Sequence, residues 1–195
     1  MERGDGATLS IAAWQRMAIV LDLPYEIKLG RDAREETTDA GHLALQELVL
    51  RLGRAAGYGR TFELPTKPSN PQLSTDVGLV DHTHRRLVLV ECVNSFGDVG
   101  AATRSSDRKA KEAEGLAISL GHGEPYAVHV CWVVRNTRRN RELLARYPEI
   151  FASRFTGSSR AWVRALVTGE EPPQALGLVW SDAKATRLFD WRRSA

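Results

Sequence analysis

Residues 75–94, TDVGLVDHTHRRLVLVECVN, decide the architecture because they predict two strands joined by a tight turn. The first strand runs from Thr75 to Asp81, and residues 82–85 form the turn. The second strand runs from Arg86 to Asn94. Its continuous apolar run, residues 87–90, is typical of a strand buried on both faces. A buried pair of strands in this position predicts a central sheet.

Helical and strand patterns surround this pair on both sides. A helix over 40–56, capped by Thr38 or Asp39, and a short strand over 62–64 precede it. The order of elements predicts an α/β fold with a central mixed sheet flanked by helices. The other predicted elements are helices over 8–22 (capped by Ser10), 101–120, 138–155 and 158–167 (capped by Ser158), and strands over 25–29, 126–135, 177–180 and 187–191.

Composition places the chain among ordinary globular proteins. It has 195 residues, 43% of them hydrophobic and 26% charged. No apolar run approaches the roughly 20 residues that span a bilayer. Two cysteines, Cys92 and Cys131, fall in apolar strand patterns, which favours buried thiols over a disulfide framework or a metal site. We therefore expect a cytoplasmic protein, with an N-terminal segment over 1–30 and one α/β domain over 31–195.

Basic residues are concentrated in the C-terminal third. From residue 131 onward, 12 Lys and Arg face 6 Asp and Glu, a net charge of +6, whereas the preceding part has 15 against 18, a net of −3. Such a region is either a phosphate-binding surface or a solvated arginine-rich helix. The densest group follows the strand over 126–135, and Arg104 adds a further cation in the helix before it. The candidate DNA-binding residues are Arg104, Arg135, Arg138, Arg139 and Arg141.

Three acidic residues occupy positions that suggest chemistry. Glu47 is on the helix before the sheet, Asp76 begins one predicted strand, and Glu91 interrupts the apolar run of the next. A carboxylate within a buried strand is costly unless it is paired, protonated or bound to a metal. Carboxylates that converge at one strand end would suit Mg²⁺ or Mn²⁺. The alternatives are an ion pair for Glu91, a strand-end cap for Asp76 and an exposed helix position for Glu47.

The spacing of Asp76 and the sequence Glu91-Cys92-Val93 resembles the Asp…Glu-x-Lys pattern of the PD-(D/E)XK nucleases. Glu47 resembles the helical glutamate that many members add. The resemblance covers residues 40–135 and implies a restriction-endonuclease-like core. It also implies that Glu47, Asp76 and Glu91 ligate Mg²⁺ or Mn²⁺.

The lysine of that pattern is absent, because Val93 stands in its place. The family tolerates a lysine that has moved to the following helix. That helix offers Arg104, Arg108, Lys109 and Lys111. We predict Lys109, because a helix after the strand can lean over the strand end.

A second resemblance concerns the whole chain. Residues 39–47 (DAGHLALQE), 94–102 (NSFGDVGAA) and 146–149 (RYPE) resemble the C-terminal region of actinobacterial regulators with an N-terminal Xre-type helix-turn-helix. The segment over 1–30 resembles a remnant of such a module. Two functions follow as expectations. One is a metal-dependent endonuclease that hydrolyses DNA, with Asp76, Glu91 and Lys109 as catalytic residues. The other is an inactive nuclease-fold domain that serves regulation, homodimerisation or sensing.

Overall fold

The computed structural model describes residues 38–67 and 73–191, together with residues 10, 13, 16, 17, 20 and 21. The chain divides into two compact units, Met1–Glu35 and Glu36–Ala195. In the first unit, residues 13, 16, 17 and 20 are helical. The hydroxyl of Ser10 accepts a hydrogen bond from the Ala13 amide at 3.3 Å, which confirms the predicted N-cap. The strand predicted over 25–29 lies outside the described residues.

The second unit alternates strands and helices, as the sequence pattern predicts. Five helices and six strands lie within its described residues. The helices are α1 (Thr38–Ala55), α2 (Val99–Leu120), α3 (Arg138–Arg146), α4 (Pro148–Arg154) and α5 (Ser159–Thr168), and the strands are β1 (Gly59–Pro65), β2 (Ser74–Asp81), β3 (Arg86–Val93), β4 (Ala127–Arg135), β5 (Gly177–Ser181) and β6 (Leu188–Asp190).

The six strands form one mixed sheet in chain order. The pairs β1–β2, β2–β3 and β5–β6 are antiparallel, and β3–β4 and β4–β5 are parallel. Val77 pairs with Val90 across β2 and β3. The next residues outward, Asp76 and Glu91, therefore lie at the same end of these two neighbouring strands.

Alternating side chains of the central strands divide the core between two faces of the sheet. Val88 and Val90 join a cluster with residues of α1 and α5. Leu87 and Leu89 pack against α2 on the other face. Farther along this second face, Trp132 and Val134 pack against residues of α3 and α4. The sheet is therefore covered on both faces, as its apolar strands require.

Local signals explain where the helices begin and end. The Asp98 side chain caps α2 by accepting the Ala101 amide at 2.9 Å. Ser158 caps α5, as predicted, and Gly169 ends it with a left-handed backbone at φ 77°. The single helix predicted over 138–155 is wrong. It divides into α3 and α4 because Pro148 has no amide hydrogen and begins a new helix.

Cys92 and Cys131 are free and buried, as predicted. Within the described part of the chain, none of the helices combines the length and the apolar character that crossing a membrane requires.

Candidate functional site

Two carboxylates meet in one pocket at the end of β2 and β3. Asp76 and Glu91 both line this pocket, which has a volume of about 400 Å³. The amide of Cys92 donates to Oδ2 of Asp76 at 2.6 Å, so the backbone of β3 fixes the carboxylate that β2 contributes. The hairpin register thus brings together two acids that are 15 positions apart in the chain. We call this the acid pocket.

Glu91 is the more buried of the two acids, with a side chain 14% exposed. The ammonium of Lys109 lies 3.0 Å from its Oε1 and 2.8 Å from its Oε2. The hydroxyl of Thr75 donates to Oε1 at 3.2 Å. Burial raises the pKa of Glu91 most, the Lys109 charge opposes this, and the Asp76 charge adds to the increase. The net result is a pKa above the ordinary value.

Lys109 reaches the acid pocket from α2. The chain leaves β3, turns through residues 94–98 and starts α2 at the Asp98 cap. Lys109 lies one and two turns before Ala113 and Ala117, which are buried against the sheet. The face of the helix that meets the sheet therefore carries the lysine to Glu91. Val93, which stands at the lysine position of the pattern, also lines the pocket.

Asp76 has two further neighbours, both on α1. Nε2 of His42 lies 3.5 Å from Oδ1 of Asp76. The Gln46 side-chain amide donates to the Asp76 backbone carbonyl at 3.5 Å. The hydrogen bond to Asp76 raises the pKa of His42, partial burial opposes this, and a hydrogen bond to the Cys92 carbonyl raises it further. Sequence reasoning missed both residues, although their i, i+4 spacing places them on one side of a helix.

The structure places Glu47 outside the acid pocket. Its side chain is exposed and lines a different surface pocket, together with Arg51, Arg54, Arg60 and Phe62. Consecutive helical residues are turned by about 100° from each other. Since Gln46 faces Asp76, the next residue points away. Of the three predicted acids, Asp76 and Glu91 therefore line the acid pocket and Glu47 does not.

Asp76 and Glu91 are two carboxylates of the acid pocket that could hold a divalent metal ion. Magnesium is often bound through one or two carboxylates, with the remaining positions taken by water and substrate phosphate. Asp76 and Glu91 supply that number of acids in one pocket. Among the described residues, no group of three or more His, Cys, Asp or Glu side chains is arranged to hold a metal ion. A three-carboxylate centre does not fit.

The five candidate arginines have different surroundings. Nη1 of Arg135 donates to Oδ1 of Asn94 at 3.1 Å, and Asn94 lines the acid pocket. Arg138 pairs with Glu142 at 2.7 Å, and Arg141 donates to the Asn136 carbonyl at 3.3 Å. Both of these side chains are exposed. Arg139 and Arg104 are also exposed, on α3 and on the first half of α2. One of the five thus borders the pocket, and the other four present cations to solvent.

A buried asparagine fixes the loop that follows β3. Asn140 is 0% exposed. Its Nδ2 donates to the carbonyls of Asn94 at 3.0 Å and Arg135 at 2.8 Å, and its Oδ1 accepts the Phe96 amide at 3.3 Å. Sequence reasoning missed this residue, because an asparagine near a helix start is ordinarily exposed. Its contacts hold the loop over 94–97, which forms one wall of the acid pocket.

No family model, no curated protein and no solved structure matches the chain.

Proposed function

We propose that this domain hydrolyses phosphodiester bonds of DNA with Mg²⁺ or Mn²⁺ at the acid pocket. The observation that carries the proposal is the joint position of Asp76, Glu91 and Lys109, since two carboxylates and an amine line one pocket. Acids on adjacent strand ends and a lysine from the following helix also support the resemblance to the PD-(D/E)XK nucleases. Glu47 has no part in the proposed reaction.

Each of the three side chains has a separate role. Asp76 and Glu91 would hold the metal through carboxylate oxygens. A bound Mg²⁺ would activate water and stabilise negative charge on the phosphate. The ammonium of Lys109 has three hydrogens to donate and no acceptor. Beside Glu91, it would orient an attacking water or hold a phosphate oxygen.

DNA as the substrate is supported by the distribution of positive charge. The region from residue 131 onward has a net charge of +6. Arg138, Arg139 and Arg141 are exposed on α3, which begins three residues after the last residue of β4. Arg135 borders the acid pocket through Asn94. Arginine binds phosphate oxygens with two parallel hydrogen bonds. These residues would therefore bind DNA phosphates near the bond that is hydrolysed.

A second candidate is an inactive domain that keeps the nuclease scaffold for regulation. Two observations favour it. Val93 occupies the lysine position of the pattern, and both oxygens of Glu91 already accept hydrogen bonds from Lys109. A site of this kind would bind DNA or an effector and leave the phosphodiester bond intact.

The two candidates are separated by incubating the purified protein with linear, nicked, single-stranded and supercoiled DNA. Mg²⁺, Mn²⁺ or EDTA is added, and the Glu91→Gln variant is run in parallel. We expect cleavage that requires metal and is undetectable in the variant. DNA binding that weakens with salt, without cleavage under any condition, would instead support the regulatory candidate.

A further inference from the structure

We propose that His42 and Gln46 form a pair of positioning residues that hold Asp76 in place for the metal. The two residues are one helical turn apart on α1 and both contact Asp76. His42 contacts the carboxylate, and Gln46 contacts the backbone carbonyl of the same residue. The sequence predicted that Glu47 on this helix binds the metal directly. The pair would instead act indirectly, by holding the proposed ligand Asp76 in position. Its value for catalysis rests on the proposed function.

The contacts of Asp76 leave its carboxylate little rotational freedom. Oδ2 accepts the Cys92 amide at 2.6 Å, and Oδ1 faces Nε2 of His42 at 3.5 Å. The Asp76 carboxylate of β2 is therefore held from two sides, by the Cys92 amide of β3 and by the His42 imidazole of α1. Outer partners of this kind orient carboxylate ligands, and their loss lowers metal affinity.

Gln46 provides an independent observation. It is 2% exposed, between Leu45 and Leu48 in the core-facing part of α1. Its Oε1 is buried and finds no hydrogen-bond partner within the described part of the chain. A leucine would avoid this unsatisfied acceptor. The Gln46 side-chain amide donates a hydrogen bond to the Asp76 backbone carbonyl. We infer that Gln46 contributes by holding Asp76 in position.

The test uses the full chain and two readouts. The first is Mn²⁺ affinity, measured by electron paramagnetic resonance. The second is the chemical shift of the Cys92 amide in metal-free, ¹⁵N-labelled protein, because this amide donates to Asp76. The variants are His42→Ala, His42→Gln and Gln46→Leu. Glu47→Gln, on the same helix and outside the pocket, is the matched control.

We expect His42→Ala to weaken Mn²⁺ binding by about 10- to 100-fold and to shift the Cys92 amide resonance. His42→Gln restores a side-chain N–H donor and should recover most of both effects. Gln46→Leu should weaken binding without reducing the fraction of folded protein. Glu47→Gln should stay within about twofold of wild type.

Failure of this proposal differs from failure of the proposed function. Unchanged affinity and an unchanged Cys92 resonance in His42→Ala would overturn the positioning role and leave the metal site standing. A shifted resonance in a protein that binds no Mn²⁺ would support the contact with Asp76 and overturn the proposed function. Equal loss of affinity in Glu47→Gln would overturn the pair as the cause.

Discussion

The Lys109 ammonium contacts both carboxylate oxygens of Glu91, at 3.0 and 2.8 Å, although 18 positions separate the two residues in the chain. Each side chain is only 14% exposed. The carboxylate has a raised pKa because it is buried, and the nearby lysine limits that increase. The two charges therefore depend on each other, and removing either one should disturb the fold as well as the chemistry.

Lys109→Met should destabilise the protein by about 3 kcal/mol, because it leaves the Glu91 carboxylate buried without its cation. The double variant Lys109→Met/Glu91→Gln should recover most of this loss, since a neutral amide needs no counter-charge. Urea unfolding at neutral pH measures both. Lys111→Met, at an exposed position on the same helix, should change the free energy of unfolding by less than about 0.5 kcal/mol. If Lys109→Met changes the free energy of unfolding as little as Lys111→Met does, the result would contradict a buried ion pair between Lys109 and Glu91.

The pH dependence of His42 should reveal its contact with Asp76. The hydrogen bond to Asp76 raises the pKa of His42 above the ordinary value of 6.5. Because the pKa is raised, protonated His42 stabilises the folded protein fully below pH 6.5. This stabilisation is lost as the pH rises through the pKa that His42 has in the folded state. Proton NMR titration of the imidazole should show the raised pKa, and Asp76→Asn should lower it. A His42 pKa at or below 6.5 in the wild type would contradict the contact.

Asn140→Ala should destabilise the protein by about 3 kcal/mol, since it removes three hydrogen bonds of a buried side chain, each contributing about 1 kcal/mol. Two go to the carbonyls of Asn94 and Arg135, and the third comes from the Phe96 amide. The loop over 94–97 should then move, so any metal-dependent cleavage should fall more than the folded fraction does. Urea unfolding and cleavage rates on the same preparation test this. A stable variant with unchanged cleavage would show that Asn140 does not fix the pocket wall.

Replacing Arg138, Arg139 and Arg141 with glutamine should reduce the salt dependence of DNA binding. The slope of log affinity against log salt should fall by about 1 for each arginine that contacts a phosphate. Fluorescence anisotropy with labelled duplex DNA at several salt concentrations gives the slope. Glutamine at Arg51, Arg54 and Arg60 removes the same charge from the pocket around Glu47 and serves as the control. If both triple variants reduced the slope equally, the result would contradict DNA binding at Arg138, Arg139 and Arg141.

The pairing of β2 with β3 could be predicted from the sequence of the hairpin. A turn over 82–85 fixes which residues pair on either side, and this spacing alone places Asp76 level with Glu91. The register observed for Val77 and Val90 agrees with this. The break before α4 was missed, because the helical periodicity over 138–155 outweighed the one proline that interrupts it.

The positions of Lys109 and Glu47 both depend on helix phase. The small residues Ala113 and Ala117 mark the buried face of α2, and Lys109 continues that face. On α1, Leu45, Leu48 and Val49 mark the core. Glu47 lies opposite this face, so periodicity alone would have placed it in solvent. The contacts of His42 and Gln46 with Asp76 depend on the angle at which α1 crosses the sheet. Side-chain packing sets this angle, so a local sequence pattern does not predict it.

The most direct test of the proposed hydrolysis is the initial rate of DNA cleavage at increasing Mg²⁺ concentration for the wild type, Asp76→Asn and Glu47→Gln. We predict metal-dependent cleavage by the wild type, rates within about twofold of it for Glu47→Gln, and no detectable cleavage by Asp76→Asn. Cleavage by Asp76→Asn at the wild-type rate, or no cleavage by the wild type at any metal concentration, would contradict a phosphodiester-hydrolysing site at Asp76, Glu91 and Lys109.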